Sequence, residues 1–185
     1  MNKRSTFVYF LISFVLLVNT ASAQDKEPWK WFTPNGESFE VIVPYGMKSA
    51  QKSVQTDIGT THPVTWICEG HKDDPNLLFM LSYVDYPKDV IHPDSIELMR
   101  TLLYESMQEH VQNLDGKLTY DSTLDEGKHP GIIYRATYGD STLSVKCRML
   151  IVGKRFYSLQ AYSHVCTSMN YEMDRFLMSF RIKEK

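Results

Sequence analysis

The sequence predicts an α+β fold, an antiparallel β-sheet held between helices in a three-layer α/β/α arrangement. Three observations carry this expectation. Residues Ile132 to Tyr162 alternate as three consecutive antiparallel strands. Those strands carry apolar side chains in both directions, so both faces of the sheet need cover. Two stretches with helical spacing, one after Asp94 and one from Met169 to Phe180, are available to supply it.

The strands come first. Tyr134, Ala136 and Tyr138 alternate with Arg135 and Thr137, then Gly139-Asp140-Ser141-Thr142 forms a turn cluster. Leu143, Val145, Cys147, Met149 and Ile151 alternate with polar residues until Gly153-Lys154, a two-residue hairpin loop with glycine first. The third strand runs from Arg155 to Tyr162. This loop sets Ile151 opposite Phe156 and Arg148 opposite Leu159, and the earlier turn sets Arg135 opposite Lys146. Opposed residues share a face. One face therefore carries Tyr134, Ala136, Tyr138, Val145, Cys147, Met149, Ile151, Phe156 and Tyr162. The other carries Ile133, Leu150, Val152, Leu159 and Ala161 together with Arg135, Lys146, Arg148, Arg155 and Tyr157, so its cover is expected to be incomplete. A slip of one residue would exchange the two faces.

In chain order, Lys3-Arg4, the apolar run Phe7 to Val18 and Ala21-Ser22-Ala23 read as a secretory signal peptide over residues 1–23. The run is shorter than the roughly 20 residues a membrane span requires. Residues 24–35 form an N-terminal arm with Trp29, Trp31 and Phe32. These aromatics are candidate partner-binding groups, although packing on the core as a lead-in is the favoured reading. A single domain follows over residues 36–185. Phe39 to Val43 alternates as a strand ended by Pro44; further strands are expected near Ser53 to Asp57, over Val64 to Cys68 and over Leu77 to Tyr86. Asp94 with Glu97 resembles a capping box. The stripe Ile96, Met99, Leu103, Met107, His110 or Val111, and Leu114 then holds helical spacing to Asp115-Gly116, glycine being expected in the left-handed position. Lys117 to Leu124 reads as a strand and Asp125 to Gly131 as a loop. A closing helix shows Met169, Met173, Phe176, Leu177 and Phe180 on one side, with Arg181, Lys183 and Lys185 at or past its end, where cations suit the helix dipole.

Composition narrows the function. Of 20 basic residues, Lys3 and Arg4 leave with the signal peptide, so 18 face 22 acidic ones, a formal charge of −4. A nucleic-acid binder would show a basic excess. Three cysteines in an exported chain allow one disulfide. Cys147 reads as a small buried hydrophobe, which leaves Cys68 and Cys166, both near element ends, as the expected pair.

The order of motifs has a likeness. Phe39-Glu40-Val41-Ile42-Val43-Pro44, Leu81-Ser82-Tyr83-Val84-Asp85-Tyr86-Pro87, Gly153-Lys154-Arg155-Phe156-Tyr157-Ser158-Leu159 and Phe176-Leu177-Met178-Ser179-Phe180 together resemble exported proteins of the PsbP-like fold. That fold is shared with a small Ran-binding nuclear import factor. The resemblance covers most of residues 36–182 and implies an antiparallel sheet between helices. It also implies a role in binding other proteins, as PsbP does when it stabilises a metal cluster in a larger assembly. It transfers no interface residue by residue.

Candidate chemistry is sparse. His62, His71, His92, His110, His129 and His164 lack metal-ligand spacing. His62, His92 and His129 each precede proline, and two of them could converge with Asp85 or Asp94. No G-x-S-x-G elbow occurs; His164 and Cys166 are a remote dyad. The most substantive candidate is a ligand-binding patch of Arg135, Lys146 and Arg148 with Tyr157 beside them. Its cations either await an anion or partner, or pair with Glu172 or Asp174 of the covering helix, the favoured reading. The sequence thus reads as a secreted or periplasmic, non-enzymatic binding module for another protein, with neither cofactor nor metal. A small-molecule, anion- or metal-binding role is the alternative.

Overall fold

Gly153 reverses the chain with φ +61°, and the two flanking strands register over ten residue pairs, Ile151 against Phe156 and Arg148 against Leu159. Arg135 lies opposite Lys146 across the preceding turn. These pairings are the ones the turn chemistry predicts. The computed structural model describes residues 29–51, 54–56, 59–87, 91, 95–126 and 129–183. The expected signal peptide, the start of the arm, His92 and Asp94 lie outside the described residues.

The strands are β1 (Lys30–Phe32), β2 (Phe39–Val43), β3 (Lys48–Gln51), β4 (Val54–Thr56), β5 (Gly59–Thr61), β6 (Val64–Glu69) and β7 (Asn76–Asp85). After helix α1 (Ile96–Asn113) come β8 (Lys117–Glu126), β9 (His129–Tyr138), β10 (Leu143–Val152) and β11 (Arg155–His164). A 3-10 turn (Val165–Thr167), helix α2 (Tyr171–Ser179) and β12 (Arg181–Ile182) close the chain. The main sheet has the order β3-β6-β7-β11-β10-β9-β8, every pair antiparallel. From β7 the chain passes through α1 to the far edge, then meanders back until β11 lies against β7. A smaller sheet pairs β1 and β12 with β2, and β4 pairs with β5 in a two-stranded sheet.

The two faces of β9, β10 and β11 feed two separate apolar clusters. Tyr134, Ala136, Val145, Cys147, Met149, Ile151, Phe156 and Tyr162 pack with Met99, Leu103, Met107 and Val111 of α1. Leu150, Tyr157, Leu159 and Ala161 pack with Met173, Phe176 and Leu177 of α2, and with Phe39 and Val41 of β2. Each face of these strands thus carries its own apolar cluster, one with side chains of α1 and the other with side chains of α2.

Several boundaries differ from the sequence expectation. The arm forms β1 through pairing with β2, which local patterning could not show. The expected loop at Asp125 to Gly131 is mostly strand, since β8 continues to Glu126 and β9 already begins at His129. At the end of α1 the left-handed residue is Asp115, φ 49°, rather than Gly116. Gly116 serves another need: a Cβ there would lie 3.0 Å from the Thr137 carbonyl oxygen and 3.3 Å from that of Val111. Both His110 and Val111 are buried, whereas Ile96 is exposed. Met169 precedes α2 and is exposed, because Asn170 takes the cap and accepts from the Met173 N–H. Arg181 belongs to β12, where it pairs with Glu40 instead of facing a helix end.

Candidate functional site

On β9 alternation buries Ile132, Tyr134 and Ala136 beneath α1 and leaves Ile133, Arg135 and Thr137 half-buried on the other side. That side is incompletely covered because α2 packs mainly on β2, β7, β10 and β11. A bulge between Leu118 and Tyr120 of β8 brings Tyr120 opposite Arg135. The guanidinium of Arg135 then lies 5.2 Å above the Tyr120 ring. Ser122 is exposed opposite Ile133, and Lys117 is exposed opposite Thr137. The strip so formed is open, cationic and partly apolar. Arg135 makes no ion pair among the described residues, and its buried Nε has no hydrogen-bond acceptor.

The four residues expected to form a patch do not act together. Lys146 pairs with Asp174 of α2, the internal compensation favoured from sequence. Arg148 is buried, 2% exposed, and donates from Nη1 to the Leu177 carbonyl oxygen at 2.9 Å. It therefore ties β10 to the end of α2. Tyr157 is buried among Phe39, Phe180 and Tyr83 and lies at the other end of the sheet. Of the four, Arg135 stands in the strip and makes no ion pair among the described residues. Tyr120 and Lys117 were missed because the bulge that aims Tyr120 leaves no mark in local patterning.

A second charged group was also not foreseen. Arg155 donates to both carboxylate oxygens of Asp85, at 2.8 and 2.7 Å, and pairs with Glu37. It also stacks 3.9 Å over the Tyr83 ring, and the Tyr83 hydroxyl donates to Glu37. The guanidinium holds the Asp85 carboxyl below its ordinary range. Each charge here has its partner, so the group clamps β7 and β11 to the segment preceding β2.

Beneath α1 runs a buried polar row. The Tyr162 hydroxyl donates to Gln160, whose Nε2 donates to the Ser158 hydroxyl at 3.0 Å. Ser158 lies 3.6 Å from the Cys147 sulfur. Tyr134 bonds Nδ1 of His110, whose Nε2 has no partner. Burial pushes the Cys147 thiol up to about 12 and lowers His110 to about 4. The thiol is therefore protonated, and it has no access to solvent.

Other expected groups are dispersed. Trp29 packs edge-on against Phe79, and Phe32 against Trp66; Trp31 is 46% exposed beneath Arg181. Phe32 and Trp66 also line an open groove of about 300 Å³. The expected Cys68–Cys166 disulfide is absent, since all three cysteines are free. Cys68 faces the core from β6, while Cys166 is exposed on the 3-10 turn after β11. Asp85 is committed to Arg155 rather than to a histidine. Among the described residues no three His, Cys, Asp or Glu side chains converge. No helix among them is long and apolar enough to cross a membrane.

No protein-family model and no curated protein matches the chain. The solution structure of cyanobacterial PsbP from Synechocystis sp. PCC 6803 does, with a TM-score of 0.56 and 10% identity over 89% of this chain and 98% of that one. The fold is PsbP-like: α+β, two helices and a large antiparallel sheet. At this identity the likeness concerns the fold alone.

Proposed function

We propose that this chain is an exported, non-catalytic accessory module that binds another protein. The observation carrying the proposal is the open face of β8 and β9, where Tyr120, Ile133 and Arg135 stand beside strands whose equivalent positions are covered. Half-buried Arg135 has the Tyr120 ring beside it but no carboxylate among the described residues, which leaves its charge open to an acidic partner. The buried, protonated Cys147 thiol speaks against its use as a nucleophile. Export rests on the sequence pattern of residues 1–23, with 24–35 as an arm and 36–185 as one domain. The two apolar clusters, one under each helix, support the three-layer reading of that domain. The exposed Trp31 offers a second contact point on the same reading.

Cross-linking mass spectrometry on the full chain in the cells that make it tests this. The expected result is one protein recovered at constant ratio and linked near β8 and β9. Recovery of the chain alone, carrying a small molecule released on denaturation, would instead establish the ligand-binding alternative, for which uncompensated Arg135 is the supporting feature.

A further inference from the structure

Strand β8 is the last in the seven-stranded sheet and spans ten residues. Its outer edge has no strand partner among the described residues. An edge of this length offers a row of free backbone donors and acceptors, which proteins ordinarily shorten, cover or charge. The two faces flanking it differ in sign. On the α2 side stand Lys117 and Arg135, whose guanidinium lies 5.2 Å over the ring of Tyr120 on the edge strand. On the α1 side Asp121, opposite Tyr134, is exposed.

We infer that β8 receives an extended segment of a partner protein as an eighth strand, with glutamate or aspartate at alternate positions on the Arg135 side and basic or neutral residues between them. This rests on the binding-module reading above and names its site and chemistry. Side chains of an added strand alternate between faces, so a single register puts its acids on the side of Arg135 and Lys117 and away from the side of Asp121. A carboxylate on that side supplies a charge partner to Arg135, whose guanidinium lies over the Tyr120 ring of the edge strand. The flat, open shape of the strip suits an extended chain better than an isolated anion, which would need converging donors.

The test uses a capped ten-residue peptide alternating glutamate with lysine and threonine, titrated into the 15N-labelled full chain. The expected result is saturable shifts confined to β8 and its neighbours, with slowed amide exchange along the β8 edge. A scrambled peptide of equal composition should bind at least tenfold more weakly. Arg135→Gln should weaken binding of the alternating peptide at least tenfold and Arg135→Lys by less, with folding of each verified from its spectrum. Unchanged β8 exchange in the wild-type chain would overturn the inference, as would equal affinity for the scrambled peptide. Glutarate matching the peptide in affinity at the same residues would overturn it in favour of a small-anion site. A cross-linked partner that persists while β8 stays unprotected removes this edge but leaves the binding module standing. Recovery of no partner at all removes the reading beneath both.

Discussion

His110 illustrates how one side chain can set the acid tolerance of a domain. It lies wholly within the α1 cluster, with Nδ1 satisfied by Tyr134 and Nε2 unbonded. Among the described residues its hydrogen-bond partner is the neutral Tyr134 hydroxyl, and the neighbouring Glu109 on α1 is itself raised by burial. Its folded pKa of about 4 lies below the ordinary 6.5, so the unfolded chain binds the proton more readily. Stability is therefore full above pH 6.5 and falls as the pH drops toward 4, by on the order of 3 kcal/mol. Urea titrations should show this slope in the wild type and its loss in His110→Gln. Arg155 works in the opposite sense. It depresses Asp85, so the pair stabilises the fold above the ordinary carboxylate range, and the benefit is lost as pH falls through the lowered value. Arg155→Met should cost about 1–3 kcal/mol at pH 7, because it leaves Glu37 half-buried without its partner. The difference from wild type should shrink in acid.

At the scale of elements, close approach decides more than propensity. Gly70 ends the β6–β7 hairpin where the Asn76 carbonyl oxygen would lie 1.9 Å from any Cβ, and its N–H donates to the Leu77 carbonyl oxygen at 2.9 Å. Gly70→Ala must displace backbone, and a loss of about 2–4 kcal/mol is expected in a denaturation midpoint at constant slope. Helix α2 shows a different control. Its nine residues are too few to be helical alone, and packing by Met173, Phe176 and Leu177 holds it, with Asn170 fixing the start. That dependence explains why Met169, in phase with the apolar stripe, is nevertheless outside the helix: the cap at Asn170 prevailed over the periodicity.

Across the whole molecule, the two clusters share the strands β10 and β11, whose successive residues point alternately into one and the other. Neither helix can leave without exposing one side of the same backbone. Phe176→Ala under α2 and Met107→Ala under α1 should each cost about 2–5 kcal/mol. Each should also retain one transition in which near- and far-ultraviolet circular dichroism coincide. Separate transitions for the two signals would show that the clusters unfold independently. The same architecture explains the candidate site. Because α2 is short and turned toward β2, its cover stops at β10, and β8 and β9 keep one side open.

The sequence by itself determined the central strands, their register and the division of their residues between two faces. Those features follow from turn chemistry and two-residue alternation, which act over a few neighbouring positions. It also predicted both helices and the pairing of Lys146 with α2. Tertiary structure alone decided the rest: that the arm becomes a strand, that Arg148 and Tyr157 are buried apart, that Asp85 belongs to Arg155, and that a bulge turns Tyr120 beneath Arg135. Each of these depends on contacts between segments distant in sequence, and on which helix is long enough to reach. Local patterning says which residues share a face, but coverage of that face depends on the packing of the whole chain.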